Sequence, residues 1–442
     1  MAVQFHESRL RLARGGVLLL LAAAAASAYL TRHALAVANT TIQLELGLNN
    51  EQFGYLYAGF SLGYMLFQIP GGWVGQKLGS RLALPLFAVL WSVMTLATAV
   101  VTTLTALVIV RFLFGVAQAG LIPTQGKVLL DWVPDTSRGT ASAVLVAAMS
   151  IGSIASLSLT SWLMQELPWR SIFVGYSFLG VVWAILFAIA FRSTPAEVRW
   201  IRMDDDSLTS ETSARNETDA VNIPGQSPGR FIHQMLMSRN VWGLSVQALF
   251  RAAAYNLLVT FLPALLEYQW RTPRSEVGVL TSWSLGIYIA GSLLGGWLVD
   301  FVLQRTGSKF CSRSGVGAVT LALAGIFTLV AGHASTATGL SAWLALAGLF
   351  GGMAGAAPWA ATMDISGRNT AIVMGFMNSS SALAGVLISP LVGRLIDFTK
   401  TTNGNWTLVY WLHAGFYLLA AGCWLAVNPD RSLQTSGVTH AV

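Results

Sequence analysis

Charge is what this chain has least of. Asp and Glu number 19 in 442 residues, and charged residues of both signs make up 10%, against roughly 25% in an average soluble protein. So little charge cannot keep a chain that is 54% hydrophobic in water, which excludes a soluble globular fold and makes the bilayer its solvent. Cysteine is scarce too. Cys311 and Cys423 stand in separate segments, which excludes a disulfide framework and a thiolate metal site. There is no phosphate-binding glycine loop, no metal-ligand cluster and no nucleophile elbow, so the sequence gives no reason to expect an enzyme, a metal or a cofactor. Period-two alternation is missing as well. The apolar runs are continuous, which excludes a membrane β-barrel and leaves helices, whose backbone polar groups are satisfied within each segment.

What is present is a series of long apolar runs. Candidate spans fall at about 15–37, 52–75, 82–103, 105–127, 139–163, 171–192, 241–268, 277–303, 313–334, 338–362, 371–398 and 407–428. The first is too long for a signal-peptide core and reads as a retained span. Arg9, Arg11, Arg14, Lys77, Arg81, Arg138, Arg305, Lys309 and Arg313 all fall in loops of one side, which predicts that this side, with both termini, is cytoplasmic. The same rule accounts for the net charge of +7 without invoking nucleic acid. Residues 193–240 are the long polar stretch, holding Asp204-Asp205-Asp206 and the turn formers of 224–229. This reads as a solvated linker rather than a cation site.

The chain echoes itself. Gly71-Gly72-Trp73-Val74 ends the second span, and Gly295-Gly296-Trp297-Leu298 recurs in the eighth. Arg138-Gly139-Thr140-Ala141 opens the fifth, and Arg368-Asn369-Thr370-Ala371 opens the eleventh. Nearly equal offsets at corresponding spans imply a six-plus-six duplication: residues 1–192, the linker 193–240, and residues 241–442. Parallel halves around a midplane site are a secondary-transporter architecture.

Three arginines, Arg32, Arg111 and Arg251, lie within apolar spans; those of Arg32 and Arg111 hold no acidic residue, and that of Arg251 has one only at its far end, Glu267. An arginine at the bilayer centre costs about 2.5–3.5 kcal/mol on insertion scales, so each needs a reason to be there. Tyr29 and Arg32 share a helix face, as do Arg111 with Gln118 and Arg251 with Tyr255. Guanidinium forks accompanied by hydrogen-bonding side chains suit a wet cavity whose counter-charge is a mobile anion. The alternatives are a structural hydrogen-bond role for Arg32, packing against backbone carbonyls for Arg111 and gating of an entrance for Arg251. Pro263 and Pro358 interrupt apolar helices and predict bends.

The motifs resemble those of the major facilitator superfamily, and within it the anion:cation symporter family of sugar-acid and phthalate permeases and sialin-like carriers. The second span reads Tyr64-Met65-Leu66-Phe67-Gln68-Ile69-Pro70-Gly71-Gly72-Trp73, close to that family's Tyr-x-x-x-Gln-Ile-Pro-Gly-Gly-Trp. The fourth contains Arg111, Phe112, Gly115, Gln118, Ala119, Gly120 and Pro123, where the family has Arg-Phe-x-x-Gly-x-x-Glu-Ala-Gly-x-x-Pro. The resemblance covers about residues 15–430. It implies an all-α membrane protein of twelve transmembrane helices in two pseudo-symmetric six-helix halves. It also implies substrate contact at Arg32 and a cavity position for Tyr64. A gating motif falls at Gly72, Gln76 and Lys77, with its echo at Gly296 and Asp300. Asn378 and Ser381 stand near the family's span-eleven asparagine.

Three departures bear on mechanism. Thr31 stands where the family has Asp beside the arginine, Gln118 replaces its Glu, and Gln76-Lys77 replaces Asp-Arg. The first two remove the carboxylates to which proton coupling is ascribed. His33, beside Arg32, is then the coupling candidate. The expectation is a monomeric carrier of a small organic anion, with protons or a counter-anion as co-substrate, in a bacterial inner membrane. The short segment 38–50 resembles bacterial members. An organophosphate/phosphate exchanger and a non-transporting membrane sensor are the alternatives.

Overall fold

The computed structural model describes residues 2–197, 228–401 and 406–433. Among them every regular element is helical. The first half comprises α1 (Ala2–Val37), α2 (Asn39–Leu46), α3 (Asn50–Leu78), α4 (Ser80–Val100), α5 (Leu104–Ala119), α6 (Leu121–Trp132), α7 (Arg138–Leu163) and α8 (Trp169–Ala190). The second comprises α9 (Pro228–Met237), α10 (Arg239–Asn256), α11 (Leu262–Tyr268), α12 (Arg274–Thr306), α13 (Val316–Ala331), α14 (Ala337–Met353), α15 (Ala357–Ser366), α16 (Thr370–Thr401) and α17 (Thr407–Cys423). Among the described residues, ten helical stretches are long and apolar enough to cross a membrane; one of them, 337–396, runs over two expected spans, and α3 supplies the remaining pass of the twelve. α3 is the least apolar pass and falls short of the hydropathy of the others.

Local chemistry sets the helix ends and breaks. Asn49 and Gln52 form a reciprocal capping box that starts α3, and Thr336 accepts from the Gly339 amide to start α14. The fourth pass breaks at Gly120, between α5 and α6. The seventh passes through a π-helical turn, Leu257–Phe261, just before Pro263. A proline has no amide hydrogen, and a wide turn ahead of it accommodates that loss. The tenth breaks at residues 354–356, and Pro358 then sits in the first turn of α15. Both prolines thus sit beside an interruption of the regular helix.

Two features differ from the sequence reading. The span 38–50 is not a plain loop: α2 occupies it, and Glu45 accepts hydrogen bonds from Trp169 Nε1 at 2.5 Å and Arg170 Nε at 2.9 Å. Those bonds, the indole's first, hold the Glu45 carboxyl below its ordinary range. The expected linker also contains α9, because Phe231 and Met235, four residues apart, bury themselves on the core. The acidic run at 204–206 lies outside the described residues.

The halves meet mainly at the end that carries the basic loops. Asp300, on α12, accepts from the backbone amides of Gly139 at 2.9 Å and Thr140 at 2.7 Å, so it caps α7 of the other half. Asp364, on α15, is fully buried and holds Arg138 at 2.9 Å, Arg313 at 3.0 Å and Lys309 at 3.5 Å. Arg313 also donates to the Asp135 carbonyl at 2.9 Å, and Gln304 Nε2 donates to the Thr136 carbonyl at 3.2 Å. Deeper in the membrane, Ser379 Oγ donates to the Met65 carbonyl at 2.8 Å.

The glycine echo explains the close approach. A methyl at Gly296 would meet Ala143 and come within 2.7 Å of the Gly139 carbonyl oxygen. One at Gly72 would meet the Ala371 carbonyl. The two contacts are related by the internal duplication, but the acid is not: Gln76 Oε1 finds no partner, and Lys77 lies over the Trp73 ring at 4.9 Å. One side of this end is thus clamped by the Asp300 carboxylate, a contact that Gln76 does not reproduce on the mirror side. Gly296→Val should therefore separate α7 from α12. With Cys311 and Cys423 replaced by serine, a cysteine introduced by Val299→Cys, at a buried position facing Gly139, should react with maleimide at least ten times faster in the valine variant. Equal rates would mean that this glycine contact does not hold the end shut.

Candidate functional site

The first-half residues singled out by sequence converge. Tyr29, Arg32 and His33 lie on α1, Tyr64 on α3, Arg111 and Gln118 on α5. The Arg32 guanidinium carbon stands 4.3 Å from the Tyr29 ring centroid, 4.5 Å from Tyr64 and 4.9 Å from Phe60. Three aromatic faces stabilise a cation by its attraction to ring quadrupoles, by up to about 2 kcal/mol for a desolvated pair. They do not neutralise it. Arg32 Nε donates to Gln118 Oε1 at 3.0 Å. Gln118 Nε2 donates to the Ala28 carbonyl at 3.0 Å and to Thr31 Oγ1 at 3.4 Å, which fixes the amide with its oxygen toward Arg32. Glutamate at this position would cancel the charge of Arg32. Glutamine orients the guanidinium and leaves the charge intact.

Arg111 is more deeply placed, at 2% exposure. Its guanidinium lies 4.6 Å from the Phe114 ring and 5.3 Å from Phe60, so Phe60 stands between two cations. Its Nε has no hydrogen-bond partner. His33 packs near Tyr29, with ring centroids 6.0 Å apart, within the electrostatic reach of both Arg32 and Arg111.

The second-half cluster faces this one. Arg251 and Tyr255 lie on α10. The Tyr255 ring is 4.5 Å from that of Tyr288 on α12. Arg251 interacts with Tyr288 and with Tyr417 of α17, and its Nε too lacks a partner. Tyr29 of the first half lies within electrostatic reach of Tyr255 and Tyr288, which sets the two clusters opposite each other. Among the described residues no carboxylate forms an ion pair with Arg32, Arg111 or Arg251; Asp131, Glu45 and Asp364 pair with cations elsewhere.

The remaining candidates separate. Asn378 Nδ2 is buried without a partner, whereas Ser381 Oγ donates to the Ala248 carbonyl at 3.3 Å and is spent joining α16 to α10. Gly72, Gln76, Lys77, Gly296 and Asp300 lie at the closed end, away from the arginines. Sequence reasoning missed Phe60, Tyr288 and Tyr417, which stand in no quoted motif. It also missed Gln247, one turn before Arg251, whose buried amide has neither nitrogen nor oxygen paired. The signal for Gln247 was its spacing of four from Arg251.

The result is a pair of facing cationic clusters at the junction of two six-helix halves, closed at one end. The sequence profile of the Major Facilitator Superfamily matches residues 21–389 and, a second time, 244–440. This chain belongs to the Major Facilitator Superfamily. The second match begins where the second half begins. Superfamily members are transporters, not enzymes. Similar proteins include a probable sulfoacetate transporter of Cupriavidus necator, 26% identical over 423 residues, covering 94% of this chain and 95% of that one. A hexuronate transporter of Bacillus subtilis is 28% identical over 387 residues, covering 86% and 87%. Among solved structures, a proton:xylose symporter bound to 6-bromo-6-deoxy-D-glucose superposes with a TM-score of 0.75 at 14% identity, covering 96% of this chain and 98% of that one. At that identity the likeness speaks for the fold alone.

Proposed function

We propose that this superfamily member carries a small organic carboxylate by alternating access, with residues 1–192 and 241–442 rocking about the arginine clusters and 193–240 joining them. The observation that supports the reading is the set of three guanidinium groups facing the junction, none of them ion-paired with a carboxylate among the described residues. A buried cation lacking a fixed partner is costly, and an anionic solute offsets that cost only while it is bound. The solutes named for the two relatives point the same way: sulfoacetate and hexuronate are both organic anions. Arg32 would grip the carboxylate, with Tyr29 and Tyr64 as walls. Arg251, Tyr255 and Asn378 would meet its far side. The basic loops support cytoplasmic termini in a bacterial inner membrane.

Coupling follows from the same residues. With Thr31 and Gln118 in place of carboxylates, the first-half site holds no acid to load with a proton. The carrier therefore works by facilitated movement or anion exchange. A panel of carboxylates, sulfonates and phosphate esters, screened by thermal shift on purified protein, identifies the passenger. Uptake of that passenger into proteoliposomes should then change less than twofold when an inward proton gradient is imposed. Strong acceleration that persists in His33→Gln would overturn the proton-independent mechanism. Competition by inorganic phosphate would turn the reading toward a phosphate-type exchanger.

A further inference from the structure

A second cationic cleft, separate from the central site, opens on the flank of the molecule at the closed end. It has a volume of about 530 Å³. Arg11 and Arg14 of α1 line it with the loop at Pro134, and Trp297, Phe301 and Gln304 of α12 line it from the other half. Arg14 is held in place by donating Nε to the Trp132 carbonyl at 3.0 Å. Trp297 and Phe301 stack at 5.1 Å and are 57% and 39% exposed. Arg305 lies 5.5 Å from the Phe301 ring and adds a cation beside the opening. Asp300 also lines the cleft, and both its oxygens are already engaged by the Gly139 and Thr140 amides.

We propose that this cleft binds the phosphate headgroup of an anionic phospholipid. Two arginines at the level where the first apolar run begins supply the charge that a phosphate diester needs. The exposed indole and phenyl faces supply a wall along which acyl chains lie, in the manner of aromatic residues at a membrane interface. A soluble anion gains nothing from that wall, which is the reason for choosing a lipid. The walls come from both halves, α1 with the 134 loop on one side and α12 on the other. The complete site therefore exists only while this end is shut, and a lipid that binds it favours the shut state by its differential affinity. The proposal does not depend on which solute is carried.

The experiment reconstitutes the full chain in nanodiscs of phosphatidylcholine with and without one-fifth phosphatidylglycerol. It measures lipid retained by native mass spectrometry and the maleimide reactivity of the buried Val299→Cys in the background lacking Cys311 and Cys423. Phosphatidylglycerol should be retained in preference to phosphatidylcholine and should slow the labelling. Each of Arg11→Gln and Arg14→Gln should weaken retention about fivefold, as expected for one interfacial cation. Arg81→Gln, which removes an exposed charge from the same end but outside the cleft, should leave retention unchanged. Trp297→Ala should weaken retention without altering charge. Equal retention of the two lipids, or an equal loss in Arg81→Gln, would overturn the site. Displacement of the lipid by millimolar inorganic phosphate, with the same slowing of labelling, would make it a soluble-anion site and overturn the lipid assignment.

Discussion

Arg32→Lys should lower transport of the identified passenger by about 100-fold, a loss of roughly 2.7 kcal/mol, while leaving the protein folded and inserted. Charge is conserved in this variant, so any effect reports geometry. Arginine presents five N–H donors in a planar fork, and Nε is spent on Gln118 at 3.0 Å. The terminal nitrogens, which also meet Tyr29 and Tyr64, can reach both oxygens of a carboxylate at once. A lysine ammonium is a point charge on a flexible stem. It cannot both hold the Gln118 oxygen and offer a two-pronged face, and it does not stack flat between Tyr29 and Tyr64. The measurement is initial uptake rate into proteoliposomes, normalised to protein of unchanged elution profile and melting temperature. Transport within threefold of the parent would remove Arg32 from the site. A loss shared with a lower melting temperature would assign it a structural role instead. Tyr64→Phe separates the ring from the hydroxyl: a small effect there, beside a large one for Arg32→Lys, places the recognition in the guanidinium.

How much of this could be read from residue order alone depends on the range of the interaction. The passes were legible because a membrane segment carries its own signature: about twenty apolar residues with the backbone bonded internally. Arg32 and Arg111 were legible because a cation in an apolar run is anomalous without reference to anything else. The pairing of Arg32 with Gln118 was only half legible. Spacing placed each on a helix face, but nothing local says that α1 and α5 turn those faces toward each other. Phe60, Tyr288 and Tyr417 were invisible for a related reason. An aromatic residue in a membrane helix is as much at home against lipid as against a guanidinium, so type and spacing do not sort the two. The short α2 was missed because its anchor is Glu45 meeting Trp169 and Arg170, over a hundred residues away. Asp364 is the clearest case. It stands at the end of a candidate span as a solitary acid, and its three cations come from both halves.

That cluster carries the other large effect. Asp364→Asn keeps the side chain's size and removes the negative charge that Arg138, Arg313 and Lys309 share. Arg313 is the member that matters most, because its side chain is fully buried, whereas Lys309 is about a third exposed and Arg138 less so. Breaking a buried pair by removing one partner costs about 3–5 kcal/mol, since the remaining charge is left uncompensated. The cost falls on the conformation in which this end is shut, because only there do Arg138 and the Asp135 carbonyl of the first half reach Asp364 and Arg313 of the second. A two-state carrier penalised in one state by even 2.7 kcal/mol shifts its population about 100-fold. The Asn variant should therefore label at the buried Val299→Cys position at least tenfold faster than the parent, and its transport should fall by a similar factor. The double variant Asp364→Asn with Arg313→Gln removes the stranded cation together with its partner, and should recover part of both losses. That recovery separates an electrostatic latch from a simple packing defect: a cavity or clash at Asp364 would be made no better by a second substitution at Arg313. Unchanged labelling in Asp364→Asn would mean that the shut end is held by the glycine contacts and the Asp300 cap alone, with the buried ion cluster contributing nothing to the choice between states.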